Sequence, residues 1–270
     1  AGRMRMDEND ENAAPSGGYA AVNLLVENNE SDAEDYGSII DAFNQDRKSI
    51  DRHVTQEAHE IIESDPELKN RKSTVIYNPR WMKGIVGIVA SRLIETYFRP
   101  TVVLTQSNGF ATGSARSVPG FDLYQAVESC ADLLENFGGH MYAAGLTMRP
   151  ENVGEFTRRF NAYVEENIDP QMLVPQVDVD AELLFSEITP AFRRELKRFE
   201  PFGPGNAAPI FATRSVSNRG DAKLVGAECE HLRMDLTQRQ KPNTTLQCIA
   251  FQQPEHFEWI RSGRPVDVCY

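Results

Sequence analysis

The sequence predicts a chain in two parts: a long helix leading into an α/β unit with a mixed sheet, then a smaller all-β unit. Three observations carry this. Apolar Ile39, Ile40, Phe43, Ile50, Val54, Ile61 and Ile62 recur at helical spacing on a charged background. From Ser73 to Asn167, β-branched runs alternate with amphipathic helical stretches, the pattern of helices laid on a sheet. Beyond Pro170, short alternating segments follow one another at the spacing of a small barrel. The 270 residues suffice for two ordinary cores.

In chain order, Asp7 to Ser16 is acidic and Asn-rich with Pro15 near its end, and reads as an exposed loop, not a catalytic carboxylate cluster. Tyr19 to Glu27 reads as a short helix. Asp32 to Ser64 reads as one long connecting helix whose sparse apolar stripe cannot form a core alone. Asp65-Pro66 ends it. Ser73 to Tyr77 is a strand, Gly84 to Tyr97 a helix, and Thr101 to Thr105 a second strand. Phe110 to Ser114 is a third strand, set by the Asn108-Gly109 hairpin dipeptide. Phe121 to Leu134 reads as helix, Gly139 to Met148 as a fourth strand and Val153 to Asn167 as a closing helix. In the second part, Val177 to Ala181 reads as a strand and Pro190 to Phe199 as a helix. Pro209 to Val216, Ala222 to Val225, His231 to Leu236 and Thr245 to Phe251 read as strands, and Val266 to Tyr270 begins another.

The net charge of −12 argues against a polyanionic partner until its distribution is read. Residues 1–67 hold 17 acidic and 5 basic side chains, and so carry the whole excess. Within residues 68–127 the bases Lys69, Arg71, Lys72, Arg80, Lys83, Arg92, Arg99 and Arg116 face only Glu95 and Asp122, a local +6. Such a patch can steer a nucleic-acid strand, or can be a solvated basic surface. Cys130, Cys229, Cys248 and Cys269 form no C-x-x-C pair and follow no secretory signal, so buried thiols are expected in place of disulfides or zinc. No apolar run approaches the roughly 20 residues of a membrane helix, and a cytoplasmic protein is expected. Of the five histidines, His53 and His59 are six apart, on different helix faces, and make a poor metal pair.

Two segments carry chemistry. Gly138-Gly139-His140-Met141-Tyr142-Ala143-Ala144-Gly145 leaves backbone bare beside one titratable ring: either a turn, or a place where N–H groups and an imidazole meet a phosphate. In Gly113-Ser114-Ala115-Arg116-Ser117, Ser114 and Arg116 project from one face of an extended chain. A hydroxyl beside a guanidinium fork suits a phosphate; the structural alternative pairs Arg116 with Asp122. Lys83 and Gly84 open a helix whose positive end can add an anion site. Trp81 can stack on a base or belong to the core. Pro201-Phe202-Gly203-Pro204-Gly205-Asn206 reads as a rigid turn.

Together with Trp81 to Leu93, these segments resemble the DHH-associated domain of the RecJ family of single-strand-specific, metal-dependent 5′ exonucleases. Pro201 to Asn206 and the strand-rich end extend the resemblance over nearly the whole chain. It implies a division into a remnant of the catalytic domain at 1–30, a connecting helix at 31–68, the DHH-associated domain at 69–169 and a truncated oligonucleotide-binding (OB) fold at 170–270. Ala1-Gly2-Arg3-Met4 resembles the end of the family's glycine-arginine motif, which implies that Arg3 reaches the strand's terminal phosphate. The nucleic-acid contacts implied are then Arg3, Lys83, Gly84, Gly113, Ser114, Arg116, Gly138 and Gly139, with His140 beside the scissile phosphate. At Met82 the family usually has histidine. The family's metal-holding aspartates and Asp-His-His triplet do not occur in this sequence. Manganese or magnesium is therefore expected in an upstream domain, and this chain is expected to grip DNA without cutting it. Single-stranded DNA is the implied partner, with a single-strand-binding protein and a helicase beside it. Two alternatives stand: a shorter phosphodiesterase of the same superfamily acting on small oligonucleotides or cyclic dinucleotides, and a non-catalytic replication module.

Overall fold

The computed structural model describes residues 17–238 and 244–270. They form two units that divide between Pro175 and Gln176. In the first, α1 (Gly17–Val26) precedes α2 (Glu30–Ser64), which Asn29 caps by accepting from Ser31 N. Asp65 ends α2 and caps the short α3 (Pro66–Asn70). The buried residues of α2 lie in its second half: Val54, Ala58 and Ile62, four apart, pack on α4 (Val86–Tyr97) through Val89, Ala90 and Leu93. Beside this seam the buried Asp51 carboxylate holds the Arg92 guanidinium at 2.6 Å.

The sheet comprises β1 (Thr74–Tyr77), β2 (Thr101–Ser107), β3 (Phe110–Arg116), β4 (Leu134–His140) and β5 (Ala143–Met148), in the order β1-β2-β3-β5-β4. β1 and β2 are parallel and the other pairs antiparallel, the mixed sheet that the alternation predicts. Alternate residues serve two cores. Val102, Leu104, Ala115, Leu146 and Met148 pack with α5 (Leu123–Glu128) and with Phe156, Phe160 and Val164 of α6 (Val153–Asn167). Ile76 and Val103 face α4 and α2 on the opposite side.

Two expectations fail here, for one reason. Phe121 to Leu134 is not one helix: α5 stops at Glu128, a 3-10 turn spans Ala131–Leu133, and the chain is already strand at Leu134. Gly139 to Met148 is not one strand but the end of β4, a turn at Met141-Tyr142, and β5. Leu134, Phe137, Gly138 and Gly139 pair with Met148, Leu146, Gly145 and Ala144. That long-range ladder overrides local helical spacing, and small residues on both strands let the backbones approach. At Gly139 (φ +153°) a Cβ would lie 2.2 Å from the Ala143 carbonyl oxygen, so only glycine fits.

In the second unit α7 (Pro190–Lys197) follows a two-residue strand, β6 (Ala181–Glu182). The strand expected at Val177 to Ala181 does not form, because Val177 and Val179 have no face to bury and remain exposed. β7 (Phe211–Asn218), β8 (Lys223–Val225), β9 (His231–Gln238), β10 (Thr245–Ala250) and β11 (Val266–Cys269) build a sheet of order β10-β9-β7-β11, with β6 on β7 and β8 on β9. No pairing joins β10 to β11 among the described residues, so the sheet is an open, incomplete OB-fold. Its core holds Phe185, Val216, Leu232, Met234, Leu236 and Ile260, the last from α8 (Phe257–Arg261), which the pattern of short strands did not predict. The cysteines also depart from expectation. Only Cys130 is fully buried, while Cys229 and Cys269 are exposed, on a turn and on the outer face of β11.

Candidate nucleic-acid interface

The site is built from the entry to α4 and the three strands beyond it. Trp81 is core: its ring is buried and its Nε1 donates to Glu57 Oε2 of α2 at 2.7 Å. This anchor leaves Met82, Lys83 and Gly84 exposed in the turn that enters α4. Ile85, at the N-cap, offers no side-chain acceptor, so no side chain caps the positive end of the helix.

That first turn lies against β3 at Gly87. A Cβ there would come within 3.1 Å of Arg116 Nη2 and 3.3 Å of Ser114 Oγ. Arg116 Nη1 donates to Ser114 Oγ and to the Ala115 carbonyl, each at 2.8 Å, which fixes the hydroxyl and guanidinium as one unit. The alternative pairing with Asp122 is not made, since that carboxylate accepts from Gln125 N at the start of α5. Burial pulls the Arg116 pKa below its ordinary value, but a guanidinium stays charged in proteins. No carboxylate bonds to it among the described residues.

Register brings the two sequence motifs together. Arg116 stands opposite Ala143, and Ala143 opposite His140; Ser114 stands opposite Gly145, and Gly145 opposite Gly138. Directly paired residues share a face, so Arg116 and His140 flank the same open side of the sheet, with backbones about 10 Å apart. Between them the floor is Ala143, Gly145 and Gly138, and a Cβ at Gly138 would meet nothing within 4 Å. Gly113 and Gly139 stand on the opposite face, toward α5 and α6. A Cβ at Gly113 would overlap the Val103 carbonyl, so strand packing alone accounts for both glycines.

His140 is exposed at the end of β4. Its Nδ1 accepts from Tyr142 N at 3.3 Å, so the neutral ring carries its proton on Nε2, free to donate outward. The turn beneath is fixed by the Met141 and Tyr142 carbonyls, which accept from Leu123 N and Ser117 N at 3.0 Å.

The basic patch is smaller than its sequence count. Lys69 pairs with Glu63, Arg71 with Glu67, Lys72 with Glu165 and Arg92 with Asp51, while Arg99 is enclosed by backbone carbonyls. Arg80, Lys83 and Arg116 remain without a carboxylate partner among the described residues. Arg3 lies outside the described residues. Among the described residues no group of three or more His, Cys, Asp or Glu could hold a metal ion. No described helix is long and apolar enough to cross a membrane. Sequence reasoning missed Gly87 as a site residue; its signal was a glycine in the first turn of an otherwise apolar helix face.

Residues 70–166 match the DHHA1 domain and residues 179–270 the RecJ OB domain. The chain is 31% identical over 251 residues to the single-stranded-DNA-specific exonuclease RecJ of Bacillus subtilis, covering 92% of this chain and 31% of that protein. It is 31% identical over 237 residues to the RecJ of Haemophilus influenzae, covering 85% of this chain and 41% of the relative. The crystal structure of Thermus thermophilus RecJ in complex with Mn2+ superposes with a TM-score of 0.70 at 28% identity, over 87% of this chain and 33% of that one; the Mg2+ complex gives 0.69. The chain thus spans well under half the length of the relatives it matches.

Proposed function

The chain belongs to the RecJ family, and from that premise we propose that its first unit grips the 5′ end of a DNA single strand for hydrolysis. The observation that carries this reading is the alignment of Arg116, Ser114 and the bare first turn of α4 along one edge of a glycine floor, with His140 along the other. Arg116 and Ser114 take the terminal phosphate in a charge-assisted, directional contact. Lys83 and the N-terminus of α4 add positive potential. Gly138 and Gly145 let the strand approach the sheet, and His140 Nε2 donates to a phosphate oxygen as charge develops in the transition state. The parent protein is read as a metal-dependent exodeoxyribonuclease, acting 5′ to 3′ in DNA recombination and repair. Manganese or magnesium there belongs to the part of the family's length outside this match; when bound, such ions activate water and neutralise charge. The reading extends to a cytoplasmic setting, with a single-strand-binding protein and a helicase supplying strands. The RecJ OB match weighs against the shorter phosphodiesterase branch.

The test is binding of this chain to oligo-dT with a 5′-phosphate or a 5′-hydroxyl, before and after Arg116→Ala. The wild type should prefer the phosphate, and the variant should lose that preference at a cost of about 1.5–3 kcal/mol. Equal loss on both strands would make Arg116 a general electrostatic residue and remove the 5′-end reading.

A further inference from the structure

Three contacts fix the turn that enters α4, and they come from different parts of the first unit. Thr105 of β2, fully buried, donates from Oγ1 to the Trp81 carbonyl. Asn78, just past β1, accepts from Trp81 N at 3.2 Å through its carbonyl and from Arg80 N at 3.0 Å through its side chain. The third hold is on the ring, where Trp81 Nε1 donates to Glu57 Oε2 of α2 at 2.7 Å. The first two belong to the sheet and the loop that leaves it, whereas the third reaches across from the helix that precedes the sheet. Directly after Trp81 comes Met82, whose carbonyl accepts from Ile85 N at 3.1 Å, with Lys83 and Gly84 between them. The position of the ring is therefore passed within one turn to the N-terminus of α4.

Glu57 is not needed to keep α2 on α4. That seam holds through Val54, Ala58 and Ile62, and through Asp51, whose carboxylate receives three hydrogen bonds from Arg92. What Glu57 supplies is the acceptor that a buried indole N–H requires. Its other oxygen faces the exposed His53, with Nε2 at 3.5 Å. Among the described residues Glu57 is bonded to Trp81 and His53, while Ser114 and Arg116 are bonded to each other and His140 to Tyr142 N. Any effect of Glu57 on the phosphate contacts must then travel through the Trp81 ring.

We propose that Glu57 is a positioning residue for the 5′-phosphate grip: acting through the Trp81 ring, it sets the first turn of α4 against Ser114 and Arg116. The long helix α2 thereby tunes a site that Glu57 does not touch. The inference rests on the 5′-end reading above. The experiment measures binding of fluorescent oligo-dT, with a 5′-phosphate or a 5′-hydroxyl, by the whole chain. In Glu57→Ala the preference for the phosphate should fall by roughly tenfold, well inside the roughly 10²-fold that a misplacement of about 1 Å can cost. Affinity for the 5′-hydroxyl strand should stay at the wild-type value. Glu57→Gln, which removes the charge but keeps an acceptor, should retain the preference. The chain holds two tryptophans, so Trp259→Phe in the second unit leaves the emission of Trp81 to report its indole bond. That emission should change in Glu57→Ala and not in Glu57→Gln. In a Trp81→Phe background, where no N–H asks for an acceptor, Glu57→Ala should cause no further loss of preference. An undiminished preference in Glu57→Ala overturns this inference alone, and so does its loss with Trp81 emission unchanged or in Glu57→Gln. A further loss in the Trp81→Phe background, or equal loss on both strands beside a lowered melting temperature, overturns it as well. Absence of a phosphate preference in the wild-type chain overturns the 5′-end reading and this inference with it.

Discussion

Arg99 and Arg116 lie at the ends of neighbouring segments of the first unit, both sheltered from water, and they are used in opposite ways. The Arg99 guanidinium fills a cage: Nε donates to Thr74 Oγ1 at 2.7 Å, Nη1 to the carbonyls of Lys69 and Arg71, and Nη2 to that of Leu68 at 3.1 Å. Every nitrogen is consumed in tying the end of α3 to the β1–β2 edge, and nothing remains for a ligand. Arg116 spends Nη1 on Ser114 Oγ and the Ala115 carbonyl, while its Nη2 lies beside Gly87 of α4 with no hydrogen bond among the described residues. An arginine whose donors are all satisfied by its own chain is structural. One that is braced but incompletely bonded is poised to bind.

The comparison breaks most easily at Arg99. Arg99→Leu removes a cation that four carbonyl or hydroxyl oxygens surround and takes a donor from each of them. The first unit should lose about 3 kcal/mol or more, on the scale of breaking a buried charged network. Urea denaturation would measure it. A small loss there would mean that burial and bonding do not separate the two arginines after all.

A smaller but more specific effect is expected at His140. In a protein spanning the family's full length, His140→Ala should slow single-turnover cleavage of single-stranded DNA by roughly 10²-fold, the scale of losing one transition-state donor. Melting should hardly change, because the ring is exposed and, among the described residues, hydrogen-bonded only to Tyr142 N. A melting temperature lowered by many degrees beside a modest rate loss would make His140 a structural residue.

These residues also mark what could be read before folding. The helix at Val153–Asn167 and the strand beginning at Thr101 were legible because their apolar periodicity is served by a core directly beside them. Phe121 to His140 was not, because its second half pairs with residues further along the chain and that partner decides its conformation. The Ser114–Arg116 pair followed from strand alternation alone. Its proximity to His140 did not, since only the order β3-β5-β4 sets Arg116, Ala143 and His140 in one row. The local charge of 68–127 misled for a related reason: four of its bases find their acids at Asp51, Glu63, Glu67 and Glu165, outside the segment in which charge was counted.

Gly87 offers the finest test, because there the requirements of helix and site point in opposite directions. In the first turn of α4, alanine should be the better helix former by up to about 1 kcal/mol. Its Cβ, however, would stand 3.1 Å from Arg116 Nη2 and 3.3 Å from Ser114 Oγ, tighter than such contacts normally run. Both neighbours are the ends of side chains, so they can move by a few tenths of an ångström. The helix then survives and the phosphate-facing geometry does not. Gly87→Ala should accordingly leave the melting temperature unchanged or raise it slightly, while the preference for a 5′-phosphate falls by about tenfold, or about 1.4 kcal/mol. Melting and 5′-phosphate binding would be read on one preparation. If both fall together, Gly87 serves packing alone. If neither moves, the guanidinium needs no glycine beside it, and the contrast between a caged Arg99 and a poised Arg116 loses its geometric basis.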